Sequence, residues 1–397
     1  MLHELNTSRR QALLGSAAAL LAGPWARLSV AATDCAANRP LVMVILRGGM
    51  DGLSAMPAIG DPDFTAARGA LAQFATPSLA LDGRFALHPQ LVQLQAMYQR
   101  GEMLAVHAVG LPYRERSHFD AQQVLESGGE KPYQLSTGWL ARALLACTGA
   151  KGLALNTSLP LVLRGSGNVD TWAPSALPDP SADLVARLER LYVDDLALAT
   201  ALARAQALHF DAPPAADMNA SNVPRGASFQ VLARRCAEFL GSPSGPQAAV
   251  LEMGGWDTHV NQVSATGALA NNLRVLDTGL ATLREGLVAN GQWPRSVIVV
   301  ASEFGREVAM NGTQGTDHGS GGVAFALGGA VNGGRVLADW PGLARSQRHE
   351  GRDLRTTTDL RALLKGALAE HWNLGHARLA DEVFPGSAAI KPLALLR

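Results

Sequence analysis

The sequence predicts a three-layered α/β domain built on a mainly parallel central sheet, and two observations support this fold class. First, short apolar runs rich in β-branched residues recur along the chain, each bounded by glycine or by charged residues. Runs that are apolar on both faces are typical of strands buried between two layers of helices. Second, stretches with helical periodicity lie between these runs, and strands that alternate with helices usually form a parallel sheet.

The elements follow one another in a regular order. Leu41–Leu46 is the first apolar run, and Arg47, Gly48 and Gly49 end it. A helical pattern at residues 89–100 is closed by Gly101, which suits a helix C-terminus, and Met103–Gly110 is the next predicted strand. A polar loop and a helix follow Pro112. Further strands are predicted at 248–255, 295–305 and 321–329, with a long helix at 268–290.

The middle of the chain has a different character. Residues 150–212 combine short strand-like pieces, proline-rich turns such as "APSALPDPS" and a helix rich in Leu, Ala and Arg. This composition predicts an insertion or lid on the main sheet rather than a separate domain. We therefore expect a single α/β domain over residues 38–397, with an insertion at about 150–212.

Residues 1–32 have the pattern of a twin-arginine export signal. Arg9 and Arg10 precede a modest apolar run at 12–22, and small residues follow at the predicted cleavage site. The alternative is an ordinary amphipathic first helix. The signal predicts export by the twin-arginine translocase and a periplasmic or secreted protein. The apolar run is too short to span a bilayer, and no later run predicts a membrane span in the mature protein.

Composition excludes several classes of protein. The chain has 397 residues, 47% hydrophobic and 17% charged, with a formal net charge of zero, which is typical of a globular protein. The balanced charge gives no electrostatic reason to expect polyanion binding, and no nucleic-acid partner is predicted. The three cysteines leave disulfide pairing open, although Cys147 and Cys236 lie in apolar helix-like stretches that favour buried, inert thiols.

Polar side chains gather at the predicted strand ends. Ligands of open parallel sheets bind beyond the carboxyl ends of the strands, so these side chains are candidates for one site. The Asp-His pair before the last strand lies between glycines, in "GTDHGSGG", where a packing role is hard to assign. The residues at this edge are Arg47, Asp51, Ser117, His118, Asp120, Asp257, His259, Glu303, Arg306, Asp317 and His318.

Carboxylates and imidazoles on converging loops indicate a divalent metal ion, such as zinc, manganese or calcium. A metal ion lowers the pKa of a bound water or hydroxyl and offsets charge on a transferring phosphoryl or sulfuryl group. Ser117, at a helix N-terminus, is the candidate nucleophile, and Arg47 or Arg306 the candidate oxyanion partner. The candidate metal ligands are Asp51, Asp257, His259, Glu303, Asp317 and His318.

Several of these residues also have structural explanations. Asp51 precedes Gly52 and could shape a turn, and Ser117 could simply cap its helix. Asp257 could cap the helix that follows it. Glu303 comes directly after an apolar run, where an unpaired charge is costly, so a structural salt bridge with Arg306 or Arg47 is the alternative to metal binding.

The order of the motifs resembles an exported bacterial family known as domain of unknown function 1501. The resemblance covers nearly the whole mature chain and is carried by "RGGMDGLS", "YRERSHFDAQ", "TGWLAR", "GGWDTH", "ASEFGR", "GTDHGSGG" and "VFPG". That family is grouped with the alkaline phosphatase and sulfatase superfamily. The resemblance therefore implies an alkaline phosphatase-like three-layer αβα sandwich, with Asp51, Asp257, His259, Glu303 and His318 as metal ligands and Ser117 as nucleophile.

Two departures from the superfamily pattern bear on the metal count. Asp257 and His259 are two residues apart where the superfamily commonly has four, and Glu303-Phe304 stands where it usually has adjacent Asp and His. One imidazole is thereby lost, for which His118 or Asp317 could substitute, so one ion is favoured over two. The resemblance implies an exported metal-dependent hydrolase of small anionic phosphate or sulfate esters. The alternative is a non-catalytic periplasmic binding or accessory protein that retains the sulfatase-like fold.

Overall fold

Strands and helices alternate along the part of the chain that the computed structural model describes, residues 39–165, 168–174, 180–210 and 225–397. The strands are β1 (Leu41–Leu46), β2 (Leu79–Ala80), β3 (Ala86–Leu87), β4 (Met103–Gly110), β5 (Gly152–Ala154), β6 (Val169–Thr171), β7 (Ala248–Met253), β8 (Val297–Ser302), β9 (Gly322–Leu327), β10 (Arg335–Leu337) and β11 (Thr358–Asp359). The helices are α1 (Gly52–Ala55), α2 (Phe64–Arg68), α3 (Val92–Gln99), α4 (His118–Ser127), α5 (Trp139–Leu145), α6 (Ala182–Leu191), α7 (Leu196–Phe210), α8 (Arg225–Gly241), α9 (Ala268–Ala289), α10 (Leu360–His371) and α11 (His376–Arg378).

Nine of the strands form the central sheet, in the order β10-β4-β9-β8-β1-β7-β5-β6, with β11 also pairing with β4. Each pairing in this sheet is parallel except those of β9, which runs antiparallel to both β4 and β8. The five strands predicted from apolar runs are β1, β4, β7, β8 and β9. The prediction of a mainly parallel sheet is confirmed.

The reversed direction of β9 matters for the position of the site. The strands β4, β8, β1 and β7 are parallel to one another, so their carboxyl ends lie at one edge of the sheet. Because β9 is antiparallel, it begins at this same edge, where Gly322 pairs with Val109 near the end of β4. The glycine-rich segment before β9 therefore meets the loops that follow the other strands.

The side chains of β1 show why the sheet lies between two layers of helices. Every residue of this strand is buried, because alternate side chains enter two separate cores. Val42, Val44 and Leu46 pack in one core with Leu94 of α3, Phe229 of α8 and Leu273 of α9. Leu41, Met43 and Ile45 pack in the other with Leu125 of α4, Leu140 of α5 and Leu363 of α10. The three-layer αβα architecture is thus confirmed.

The predicted insertion at 150–212 begins too early. β5 pairs with β7 and β6 pairs with β5, so both strands extend the central sheet and are not part of a lid. Each has three residues, too few to display the periodicity of a strand in the sequence. The helix α6, in contrast, buries none of its residues.

Three further predictions concern the chain as a whole. The export signal at 1–32 lies outside the described residues. Cys147 forms a disulfide, so the prediction that it is an inert thiol was wrong, whereas Cys236 is free and fully buried, as predicted. None of the helices in the described ranges has the length and apolar character needed to cross a bilayer.

Candidate metal centre

Four strand ends supply the side chains of the site. His118 is the first residue of α4, which follows β4, and Asp257 and His259 follow β7. Glu303 comes directly after β8, and His318 lies four residues before β9. Residues that are up to 200 positions apart in sequence meet here, as for His118 and His318.

Glycines allow the segment 315–322 to lie directly against two neighbouring loops. A Cβ atom at Gly315 would lie 2.1 Å from the carbonyl carbon of His259, and one at Gly319 would lie 2.4 Å from that of Arg306. Any side chain at these positions would force the backbones apart. An isolated β-bridge between Arg306 and His318 shows how close the approach is. The glycines around Asp317 and His318 therefore serve to place His318 in the site.

Three imidazoles and one carboxylate converge at this edge. The Nε2 atom of His318 lies 3.1 Å from Nε2 of His118 and 3.1 Å from Nε2 of His259. Oδ1 of Asp257 lies 2.9 Å from Nε2 of His259, 3.1 Å from that of His318 and 3.4 Å from that of His118. His118, Asp257 and His318 each offer a ligand atom within 4.8 Å of the others. Together with His259, these residues form what we call the histidine cluster.

The other ring nitrogen of each histidine contacts an acceptor. Nδ1 of His118 lies 2.8 Å from Glu303, that of His259 lies 3.0 Å from Asp317, and that of His318 lies 2.9 Å from the carbonyl oxygen of Arg116. Carboxylates and carbonyls accept hydrogen bonds, so we assign the proton of each ring to Nδ1. Each Nε2 then directs a lone pair towards the centre of the cluster, as in histidines that ligate metals.

The charges in the cluster favour the ligand forms of two of its residues. Burial opposes ionisation of Asp257, but the Arg306 guanidinium at 2.6 Å and the neighbouring imidazoles outweigh it, so its pKa falls to about 2. Burial lowers the pKa of His318, and the nearby His118 and Arg306 lower it further. The bond to Glu303 raises the pKa of His118, against the effect of burial. At neutral pH, Asp257 is a carboxylate and His318 is a neutral imidazole.

This donor set fits a transition metal ion. Imidazole nitrogens suit zinc and similar ions, whereas calcium is bound through oxygen atoms. Two nitrogens bound to one tetrahedral zinc at about 2.0–2.1 Å are roughly 3.3 Å apart. The Nε2 separations of 3.1 Å are close to this value. Of the three metals considered from the sequence, zinc fits these residues best.

The structure does not bring Asp51 into the cluster. Its carboxylate is 1% exposed, accepts hydrogen bonds from the backbone N–H groups of Leu53 and Ser54, and forms an ion pair with Arg68 at 2.5 Å. These hydrogen bonds agree with the alternative prediction, in which Asp51 shapes a turn. Arg68, the partner that neutralises Asp51, is 17 residues further along the chain and was not anticipated from the sequence.

Neither of the two predicted oxyanion partners is free. Arg47 forms ion pairs with Glu252 at 2.5 Å and Glu126 at 2.9 Å. Arg306 is 1% exposed and binds Asp257, so it holds a cluster residue in place. Its remaining donors reach the carbonyl oxygens of Gly48, Gly49, Trp256 and Thr316. Both guanidinium groups are thus engaged by protein partners, and their anion-binding role stays a prediction.

Glu303 and Asp317 lie behind the histidines rather than among their Nε2 atoms. Glu303 is fully buried and accepts from the N–H of Gly48 at 2.8 Å as well as contacting His118. The prediction that Glu303 forms a structural salt bridge with Arg47 or Arg306 was therefore wrong. Gly48 has a φ of 122°, which favours glycine, and a Cβ there would lie 2.5 Å from the backbone nitrogen of Asp257.

Ser117 occupies the N-cap position of α4, but its side chain makes no capping hydrogen bond. Its hydroxyl contacts that of Tyr113. The preceding residue, Arg116, has a φ of 61°, a strained value for a residue with a side chain, and its carbonyl oxygen is the one that faces His318. The capping alternative for Ser117 thus does not hold for its side chain.

His118 is the cluster residue that the sequence indicates only as a substitute for a missing imidazole. Two signals favour this role. It opens a helix directly after a predicted strand, and the Glu303-Phe304 pair leaves one imidazole missing from the site. The structure fills that place with His118, which contacts both Glu303 and His318.

The model of a family described as "Protein of unknown function (DUF1501)" matches residues 95–384. No curated protein matches the chain.

Three of the similar solved structures are a member of the alkaline phosphatase superfamily, a sulfatase and a phosphonate monoester hydrolase. A protein of the alkaline phosphatase superfamily from Vibrio parahaemolyticus is 11% identical, with 90% of this chain and 71% of that chain covered and a TM-score of 0.45. A sulfatase from Pseudoalteromonas sp. is 14% identical, with 90% of this chain and 71% of that chain covered and a TM-score of 0.42. The phosphonate monoester hydrolase of Agrobacterium radiobacter is 12% identical, with 85% of this chain and 74% of that chain covered and a TM-score of 0.39. TM-scores below 0.5 do not establish a shared fold.

Proposed function

Because the chain belongs to the DUF1501 family, whose description names no activity, we propose a function from the site itself. The protein is an exported, metal-dependent hydrolase that cleaves phosphate or sulfate esters. The choice of ester follows from the motifs that resemble the alkaline phosphatase and sulfatase superfamily. Export to the periplasm or beyond follows from the twin-arginine pattern in residues 1–32.

The observation that carries the proposal is the convergence of three Nε2 atoms whose Nδ1 partners are already fixed. Nε2 of His318 lies 3.1 Å from Nε2 of His118 and 3.1 Å from Nε2 of His259, a spacing that suits nitrogens bound to one cation. When bound, a divalent ion polarises an ester oxygen and lowers the pKa of a bound water. Glu303 and Asp317 keep two of the rings in the ligating tautomer, and Arg306 fixes Asp257.

The site is open to solvent on one side, as a catalytic centre requires. The side chains of Asp257 and His259 are 46% and 39% exposed, whereas Glu303 behind them is fully buried. A catalytic zinc site has three protein ligands and one accessible position, and His118, Asp257 and His318 are three such ligands. Ser117, whose hydroxyl is not used for capping, is the proposed nucleophile next to His118.

The test is metal analysis followed by assays on aryl phosphate and aryl sulfate esters. We expect about one zinc ion per chain, and turnover that is lost on chelation and restored by zinc. His318→Ala should lose both metal and turnover, whereas His376→Ala, at an exposed histidine of α11, should lose neither. Ser117→Ala should keep the metal and lose turnover. Hydrolysis that persists in His318→Ala would contradict the proposal.

A second candidate is a non-catalytic periplasmic binding or accessory protein. The engagement of Arg47 and Arg306 with protein partners favours it, because neither guanidinium can stabilise a transferring anion. Stoichiometric zinc without turnover of either ester would support this candidate over the hydrolase.

A further inference from the structure

Six arginines lie in two short segments, each of which contacts His318 through one of its arginines. Arg114 and Arg116 precede α4, and Arg345, Arg348, Arg352 and Arg355 lie before β11. The same two segments, residues 113–117 and 345–355, contain only three carboxylates: Glu115, Glu350 and Asp353. We call these six arginines the arginine rim. Glu307, from outside these segments, pairs with Arg352 at 2.8 Å. The segments themselves hold six arginines against three carboxylates, a difference that the zero net charge of the whole chain conceals.

Both segments are attached directly to the histidine cluster. The carbonyl oxygen of Arg116 lies 2.9 Å from Nδ1 of His318, and the Arg352 guanidinium donates to the carbonyl oxygen of His318 at 2.9 Å. Arg116 also joins the segments to each other through ion pairs with Glu350 at 2.6 Å and Asp353 at 2.8 Å. The arginine rim therefore borders the metal centre.

Four members of the rim form no ion pair with a carboxylate within the described part of the chain. The nearby carboxylates Asp353 and Asp359 still act on the charge of Arg114. Asp61, Asp63 and Glu307 act in the same way on Arg348. Arg114 donates to the carbonyl oxygen of Leu111, and Arg348 donates to that of Leu343. Arg345 and Arg355 are exposed. Burial lowers the pKa of Arg348, and the neighbouring positive charge of Arg345 lowers it further. These four arginines differ from Arg47 and Arg306, which form ion pairs with carboxylates.

We propose that the arginine rim binds a polymer that carries several sulfate or phosphate ester groups. Guanidinium groups pair with such anions through two parallel hydrogen bonds. A single small ester would need one or two arginines, whereas a run of anionic groups along a polymer can reach several of them. This inference rests on the proposed function and identifies its substrate as one ester in a polyanionic chain rather than a small isolated ester.

The test uses the full chain with both Arg345 and Arg348 changed to Gln, and dextran sulfate and inorganic polyphosphate as probes. We expect the Kd for at least one probe to rise at least tenfold at low salt, and the salt dependence of binding to become less steep. The matched control changes Arg187 and Arg190 of α6, two exposed arginines, to Gln and should leave the Kd within twofold. Binding of only one probe would show whether the rim prefers sulfate or phosphate groups.

The outcomes separate this proposal from the proposed function. His318→Ala should lose zinc but retain polymer binding, because the rim arginines remain. If the wild type hydrolyses neither ester yet binds the polymer through the rim, the hydrolase proposal fails and the binding site stands. The rim proposal is overturned if the double variant binds as the wild type does or if the α6 control weakens equally. It is also overturned if single-stranded DNA binds as tightly as either probe.

Discussion

Asp51 and Asp257 follow neighbouring strands of the same sheet, yet their surroundings differ completely. Asp51 comes after β1, is 1% exposed, and has Arg68 and two backbone N–H groups as partners. Asp257 comes after β7, has a side chain that is 46% exposed, and faces three imidazoles as well as Arg306. One aspartate holds a loop together, and the other lies in an open cluster of metal-ligand type.

The comparison shows that a position at a strand end does not by itself make a ligand. Both aspartates satisfy the rule that polar residues at the carboxyl ends of parallel strands line a site. The difference comes from the partners, which a sequence does not place. A buried carboxylate needs a counter-charge, and for Asp51 the chain supplies it with Arg68. The following predictions test this difference, from the largest expected effect to the smallest.

Removal of a central ligand should have the largest effect. His318 has its Nε2 atom 3.1 Å from those of both other histidines, so His318→Ala removes the residue on which the cluster depends. We expect the zinc affinity to fall by more than about 100-fold, beyond the usual effect of changes behind the ligands. Isothermal titration with zinc measures this, with His376→Ala as the control. An unchanged affinity would remove the metal centre from consideration.

Asp51→Asn should act on stability and not on zinc. The change leaves the Arg68 guanidinium buried without its counter-charge, which costs about 3 kcal/mol of the free energy of unfolding. Urea denaturation measures this loss, and zinc titration of the folded variant should give an affinity within twofold of the wild type. If the variant instead loses zinc while its stability holds, Asp51 is a ligand and the contrast with Asp257 disappears.

Glu303→Gln should weaken zinc binding without removing it. The variant keeps the shape of the side chain but loses the charge that holds the Nδ1 proton of His118. Partners behind ligating histidines typically contribute about 10–100-fold to metal affinity. Zinc titration at constant pH checks the loss, and circular dichroism checks the fold. A loss as large as that of His318→Ala would mean that Glu303 binds the metal directly.

Asp317→Asn should have the smallest effect. Asp317 makes the equivalent contact with His259, but its side chain is 51% exposed, so solvent screens the interaction. We expect a loss of zinc affinity below about tenfold, measured in the same titration. Equal losses for Asp317→Asn and Glu303→Gln would show that burial of the partner carboxylate makes no difference.

Much of the fold was predictable because its signals are local. The largely apolar runs of β1, β4, β8 and β9 identified the strands. The glycines around Asp317 and His318 identified a loop with a predicted functional role. The short strands β5 and β6 were missed because three residues carry no pattern.

The predictions about the site failed where partners come from distant parts of the chain. Arg47 is bound by Glu126 of α4 and Glu252 of β7, which no spacing rule connects to it. The arginine rim escaped attention because an overall charge balance averages over its two segments. The sequence indicated His118 only as a substitute ligand, because a histidine at the start of a helix has many roles.

The antiparallel pairing of β8 with β9 has a consequence for how such a site can change. Two antiparallel neighbours are joined by a connection that leaves and returns at one edge, without a crossover. Glu303, Arg306, Asp317 and His318 all lie on this one connection. Residues 303–321 form this connection, so a substitute segment anchored by the same two strands could replace all four of these polar groups at once. A change in the chemistry of the site would then need replacement of one continuous segment instead of coordinated changes in several distant loops.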